Sequence, residues 1–263
     1  MRCGVRDDPL AARSELLFRA FGVYLQWYFR RRFHAVRLSR SGMPHRPAGR
    51  PLIVYSNHPS WWDPALFMLL GRTVLRGLRG YGPMEEAALR RYGVLRRLGV
   101  FGIDLENRRG AARFLSVGRR VLSDPAASLW ITGEGAFTDV RRRPVLRPGI
   151  SHLVRLVPEA VVLPLAIEYT FWNESRPEAL LRFGQPIDAA PVRSVAAWTG
   201  VLEAALADTM QGLGEESMTR NPGLFVPVLR GGAGVGGVYD WWRRGRALLA
   251  GRRFDPSHEG EKR

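Results

Sequence analysis

Leu52-Ile53-Val54-Tyr55-Ser56-Asn57-His58-Pro59-Ser60-Trp61-Trp62-Asp63 is the stretch on which the reading of this chain turns. Leu52–Tyr55 is a short run without a charge, as expected of a strand buried on both faces of a sheet. The end of such a strand is where α/β folds tend to place reactive groups. There, an imidazole and a carboxylate stand five positions apart. On one continuous helix that spacing would set them roughly 140° apart, since each residue turns about 100°. They can meet only if His58 lies in the turn before a helix and Asp63 reaches back to it. Asn57 and Ser60 suit capping positions there, and Pro59 suits the loop or the first helical position. Asp63 would then accept a proton from one ring nitrogen and leave the other as a general base near neutral pH. A structural hydrogen bond is the commoner meaning of a lone histidine beside an aspartate, so the surrounding sequence has to decide.

Composition sets the frame. The 263 residues, 46% hydrophobic and 24% charged, suffice for one large catalytic domain with a sizeable core. The formal charge is +16 and the sequence pI about 11.3, carried almost wholly by arginine; Lys262 is the only lysine. GC-rich coding accounts for that bias as well as function does. Whatever its origin, the excess favours polyanionic partners such as anionic lipid headgroups or phosphorylated carriers. Nucleic acid is not expected, because the arginines are dispersed and the aromatics concentrate elsewhere. The single cysteine, Cys3, excludes an internal disulfide framework and fits a reducing cytoplasmic setting. The first residues do not resemble a secretory signal, and no run of 18 uncharged apolar residues suggests a spanning helix. The five histidines are scattered, so no metal site is expected, and no glycine loop marks a nucleotide cofactor.

Residues 14–33 are expected to form a helix with a polar stripe of Glu15, Arg19, Gly22, Gln26 and Arg30. Apolar and aromatic residues fill the rest of its surface, a wider face than a surface helix needs. Trp27, Tyr28 and Arg30-Arg31-Arg32 suit the headgroup level of a bilayer. The helix therefore lies on a membrane, or packs on the catalytic core, or does each with a different face. Residues 40–51 read as a Gly/Pro-rich linker. Strands are then expected at Leu52–Tyr55, Val100–Ile103, Ser128–Thr132 and Ala160–Tyr169. Helices are expected at Pro64–Leu70, Glu85–Leu98, Ala111–Leu122, Ile150–Leu156 and over 194–213. This alternation predicts an α/β fold, a mixed, mostly parallel sheet flanked by helices, preceded by an amphipathic membrane-associated helix. The expected division is an N-terminal segment over 1–49, a catalytic domain over 50–215 and a basic, aromatic extension over 216–263. The extension holds a glycine joint at Gly231–Gly237 and an aromatic-basic stretch at Tyr239–Leu249.

Four blocks decide the function. Asn57-His58-x-Ser60-x-x-Asp63 follows a strand; Val100-Phe101-Gly102-Ile103-Asp104-Leu105 comes next; Thr132-Gly133-Glu134-Gly135 ends another strand; and Val162-Leu163-Pro164-Leu165-Ala166-Ile167 is an apolar block with a proline. In this order they resemble the glycerolipid acyltransferases, the family of the bacterial 1-acylglycerol-3-phosphate acyltransferases, over roughly residues 50–190. The resemblance implies that His58 deprotonates an acceptor hydroxyl while Asp63 orients it. The oxygen then attacks the thioester of acyl-CoA or acyl carrier protein directly, with no further cofactor. It implies substrate contacts for Asn57, Ser60, Glu134 and Gly135, a lipid acceptor, and a place at the cytoplasmic face of the cell membrane.

Two departures bear on the acceptor. Leu105 stands where the second block usually carries an arginine, and Glu134-Gly135-Ala136-Phe137 where the third carries one for the acceptor's phosphate. Loss of both planar clamps points to a less charged acceptor, such as a glycolipid, terpenoid or lyso-lipid hydroxyl. Arg108-Arg109 and Arg141-Arg142-Arg143 either replace the clamps, grip the nucleotide part of CoA, or form a solvated basic surface. The alternative function is a catalytically degenerate member of the same fold that binds membranes through its positive charge.

Overall fold

The structure, a computed structural model, describes residues 8–45, 49–104, 107–191 and 193–232. After a single turn, α1 (Pro9–Ala12), comes α2 (Glu15–Arg32). Ser14 caps α2 by accepting from the Leu17 amide, Glu15 lies in its first turn and Arg30–Arg32 in its last, so its end charges oppose the helix dipole. Phe33 leaves helical geometry and the chain runs straight into β1 (Ala35–Ser39), then β2 (Leu52–Ser56). The stretch 57–62 links β2 to α3 (Asp63–Thr73), followed by β3 (Arg79–Glu85) and α4 (Glu86–Arg91). A 3-10 segment, Gly93–Leu98, leads to β4 (Val100–Ile103), α5 (Arg108–Leu122), β5 (Ala127–Thr132) and α6 (Gly149–Leu156). β6 (Val161–Thr170), β7 (Glu178–Phe183), β8 (Ile187–Asp188), α7 (Val195–Met218) and β9 (Phe225–Arg230) complete the described chain.

The strands form one sheet in the order β4-β3-β5-β2-β6-β7-β1-β9, with β8 added beside β6. β4–β3, β3–β5, β5–β2, β2–β6 and β1–β7 run parallel; β6–β7, β6–β8 and β1–β9 run antiparallel. The expected mixed, mostly parallel sheet with helices on both faces is therefore present. Alternation along β2 divides the core: Ile53 and Tyr55 face Phe114, Leu153, Trp198 and Leu202 of α5, α6 and α7. Leu52 and Val54 face Leu25 and Phe29 of α2 and Leu66 and Leu70 of α3.

Several expectations need correction. Ala35–Ser39 pairs with both β7 and β9, so the sheet draws on residues outside the 50–215 range. This strand hides from sequence inspection because Arg37 sits in its middle; it is buried as an ion pair with Glu178 at 2.7 Å. Glu85–Leu98 is not one helix: α4 stops where Tyr92 leaves helical geometry, and Gly93 gives the helix no reason to resume. β3 is not among the strands expected from sequence; Gly80, Gly82 and Pro83 deprive it of a strand pattern. The helix expected over 194–213 runs on to Met218. Gly22 does not belong to a polar stripe; it is buried, and Arg72 lies across it to donate to the Arg19 carbonyl. From residue 233 onwards, the glycine joint and Tyr239–Leu249 fall outside the described residues, as do Cys3 and Leu105.

Glu168, half-buried where β6 meets α7, accepts from the Ser217 hydroxyl at 2.6 Å. Burial still pushes its carboxyl above the ordinary range. Ionising it is thus harder in the folded chain than in the unfolded one. The stability present at low pH is lost as pH rises through the folded value. Glu168→Gln should raise the urea midpoint at pH 7, with the gain closing towards about pH 4. A gain that is constant over that range would contradict the assignment.

Candidate active site

β2 lies between β5 and β6 and parallel to both, so the carboxyl ends of the three strands converge on Ser56–Ser60. His58 stands in the turn after β2, and its Nδ1 lies 2.6 Å from Asp63 Oδ2. Asp63 opens α3, where the helix dipole favours a carboxylate, and it has no exposed surface. Its Oδ2 also accepts from the Ser60 amide at 3.2 Å, and its Oδ1 from the Tyr169 hydroxyl at 2.7 Å. A carboxylate can only accept, so Nδ1 is the donor of this bond, and in the neutral imidazole Nε2 is the nitrogen with the free lone pair. The expectation that His58 precedes the helix and that Asp63 reaches back to it describes the geometry found.

The residues around the dyad hold its backbone. Asn57 is buried; its amide nitrogen donates to the Ile167 carbonyl and its oxygen accepts from the Ile167 amide, each at 2.9 Å. Glu134 Oε2 accepts from the His58 amide at 3.2 Å and from the Thr138 hydroxyl at 2.5 Å. The Thr138 amide donates to the His58 carbonyl at 3.0 Å. The loop after β5 is thereby stapled to both sides of His58. Gly135 turns that loop at φ 66°, a value that side chains resist, and the Arg147 side chain packs against it. The loop carries Phe137 to within 4.4 Å of the imidazole, ring centre to ring centre, with 63% of its surface exposed.

His58, Trp61, Phe137 and Arg147 border a cavity of about 730 Å³. Its deeper wall is largely apolar, with Phe67, Met68, Tyr81, Leu98, Phe114 and Ile150. A largely apolar cavity of this volume can hold an aliphatic chain, and a base on its lining can act on a hydroxyl at the chain's polar end.

Not every residue singled out from sequence reaches this cavity. His58 and Gly135 line it and Glu134 supports it. Asn57 spends both ends of its amide on β6, and the Ser60 hydroxyl accepts from the Trp62 amide at 3.3 Å, so both shape the turn rather than the cavity wall. Arg108 and Arg109 are exposed at the start of α5, and Arg141 is exposed and paired with Asp139 at 2.7 Å. None of the three is on the cavity wall, which favours the solvated basic surface among the alternatives. Arg147, which no motif flagged, is the arginine that lines it. Tyr169 was missed too, although it lies just beyond the apolar block Val162–Ile167. The parallel register Ser56↔Leu165 brings that end of β6 alongside the turn that carries His58. Trp61 lines the cavity, whereas Trp62 turns away to pack on Phe29 and Phe33.

A sheet of this topology with a His–Asp pair at the end of its central strand is the frame of an α/β enzyme able to activate a hydroxyl. The family model described as Acyltransferase matches residues 37–168, half of the chain, and the protein belongs to that family. This bears out the resemblance carried by the four blocks, and the protein is an acyltransferase. Its fold is similar to that of the 1-acyl-sn-glycerophosphate (LPA) acyltransferase PlsC from Thermotoga maritima. The crystal structure of that enzyme superposes with a TM-score of 0.52 over 77% of this chain and 79% of that one, at 16% sequence identity. Sequence comparison with curated proteins gives no significant match.

Proposed function

We propose that the protein transfers a fatty acyl group from acyl-CoA or acyl carrier protein to a lipid hydroxyl. The observation that carries this reading is the His58–Asp63 pair, 2.6 Å apart, at the rim of a largely apolar cavity of about 730 Å³. The acyl chain lies in the cavity with its thioester towards His58. Nε2 takes the proton of the acceptor hydroxyl as its oxygen attacks the thioester carbon. The tetrahedral intermediate then collapses, the C–S bond breaks as the C–O ester bond remains, and the imidazolium returns the proton to the departing thiolate. No acyl group is passed to the enzyme. An intact, hydrogen-bonded dyad supports catalysis over the degenerate membrane-binding alternative.

Phe137 beside the imidazole favours an acceptor with no free phosphomonoester next to its reactive hydroxyl, such as a glycolipid or a lysophospholipid whose phosphate is esterified, over a glycerol phosphate. Labelled long-chain acyl-CoA, supplied with a total lipid extract, should yield a single O-acylated lipid class that identifies the acceptor. Glycerol 3-phosphate acting as the preferred acceptor would contradict this reading.

The acceptor would be met at the cytoplasmic face of the cell membrane, with α2 as the contact. Phe18, Leu25 and Phe29 bury one side of α2 in the core, while Leu16, Val23, Tyr24 and Trp27 are exposed on another. The guanidinium of Arg31 lies 4.4 Å from the Trp27 ring centre, an aromatic-cation pair suited to the headgroup level. Among the described residues, no helix is long and apolar enough to cross a membrane, so the proposal is surface attachment. Substituting Val23→Asp and Trp27→Ala together should weaken binding to anionic vesicles at least about a hundredfold, since each side chain contributes roughly 1.5–3 kcal/mol when buried and about 1.4 kcal/mol is a factor of ten. Cosedimentation equal to that of the unmodified protein would refute the contact.

A further inference from the structure

Tyr169 stands on the side of Asp63 away from His58. Its hydroxyl donates to Asp63 Oδ1 at 2.7 Å, while Oδ2 takes the His58 Nδ1 proton at 2.6 Å and the Ser60 amide at 3.2 Å. Asp63 is wholly shielded from solvent, so these donors stand in for water around its charge. The tyrosine is itself fixed: its backbone pairs with Ala179 of β7, and its ring centre lies 5.8 Å from that of Phe33. Burial, reinforced by the charge of Asp63, holds the hydroxyl well above the ordinary tyrosine range, so it stays a donor at neutral pH.

We propose that Tyr169 is a positioning residue for acyl transfer, whose hydrogen bond to Asp63 fixes the carboxylate and sets the pH at which His58 becomes a base. This rests on the reading of His58 as the general base. A donor to the carboxylate stabilises the state in which Asp63 is ionised and His58 neutral. Without it the charge on Asp63 is held less firmly, and the pair as a unit takes up a proton more readily. The active, unprotonated form would then be reached only at higher pH.

The other ionisable groups near the dyad leave this effect isolated. The loop after β5 contributes Glu134, bonded to the His58 amide, and, beyond it, Arg147 on the cavity wall. α2 meets the turn through Phe29 and Phe33, which carry no charge, and Tyr28, whose ring packs on Trp62. Removing one hydroxyl from Tyr169 alters none of them. Phenylalanine also fills the same space, so a role in packing alone predicts no change in pH dependence.

The test is the pH dependence of kcat in the full chain for the unmodified protein, for Tyr169→Phe, and for protein carrying fluorotyrosine at position 169, with His58→Ala as control. In Tyr169→Phe the acid limb is expected to move upwards by about one pH unit, the scale of one hydrogen bond to a charged group. KM for the acyl donor should not change. Fluorotyrosine, a stronger donor of nearly the same shape, should move the limb downwards. Identical limbs in all three would overturn the proposal. If Tyr169→Phe does not fold, the fluorotyrosine protein decides, since an unmoved limb there is equally fatal. Full activity in His58→Ala would instead overturn the base assignment. Activity lost in His58→Ala with an unmoved limb in the Tyr169 variants would remove only the role of Tyr169.

Discussion

His58→Ala is expected to lower the rate of acyl transfer by about 10²–10⁴-fold, the range that a positioned general base contributes. The loss should fall on kcat, with little change in KM for the acyl donor, because the imidazole sits at the rim of the cavity and the chain-binding wall lies beyond it. The fold should survive. His58 is only part-buried, its backbone stays pinned by Glu134 and Thr138, and Asp63 keeps the Ser60 amide and the Tyr169 hydroxyl as donors when the imidazole is removed. Vesicle binding should also persist, because the contact proposed for it, α2, is left unaltered. Loss of activity together with loss of cooperative unfolding would make the variant uninformative about chemistry, so thermal melting belongs in the same experiment.

Asp63→Asn should be nearly as damaging, at about 10²-fold in kcat. The amide can turn so that its oxygen still accepts from His58 Nδ1 and the Ser60 amide. Its N–H₂ group then meets the Tyr169 oxygen, which a hydroxyl allows by accepting instead of donating. The tautomer of His58 therefore survives, and what is lost is the negative charge that stabilises the imidazolium as the proton transfers. The expected result is a lower kcat at every pH together with a downward shift of the acid limb, since a neutral partner no longer helps His58 hold its proton. An acid limb at its original position would mean that Asp63 does not govern the base.

The fold was legible wherever a strand or helix carried its own pattern. Leu52–Ser56, Val100–Ile103, Ala127–Thr132 and Val161–Thr170 are largely apolar runs between turn residues; the first, third and fourth give the parallel centre of the sheet and Val100–Ile103 its parallel edge. What escaped were strands justified only by distant partners. Arg37 is tolerable in β1 because Glu178 neutralises it from β7, 141 residues away. Gly80 and Gly82 suit β3 because they leave room beside Trp130 and the cavity. The dyad was legible for a local reason: a spacing of five residues keeps His58 and Asp63 within reach of one another, and the neighbouring elements then hold the turn in place. The arginines were not. Charge in a sequence does not tell which way a side chain faces, and Arg108, Arg109 and Arg141 face water while Arg147 borders the cavity. Tyr169 depends on the register of β6 against β2, a tertiary fact.

Direct transfer is the central claim, and rapid-quench analysis with an acyl-labelled thioester tests it most directly. Mixed with the protein and lipid vesicles containing the acceptor, the label should pass from thioester to lipid ester without appearing on the protein, and His58→Ala should stop that passage. Label accumulating on the protein before the lipid ester forms, or transfer that continues undiminished in His58→Ala, would contradict the account.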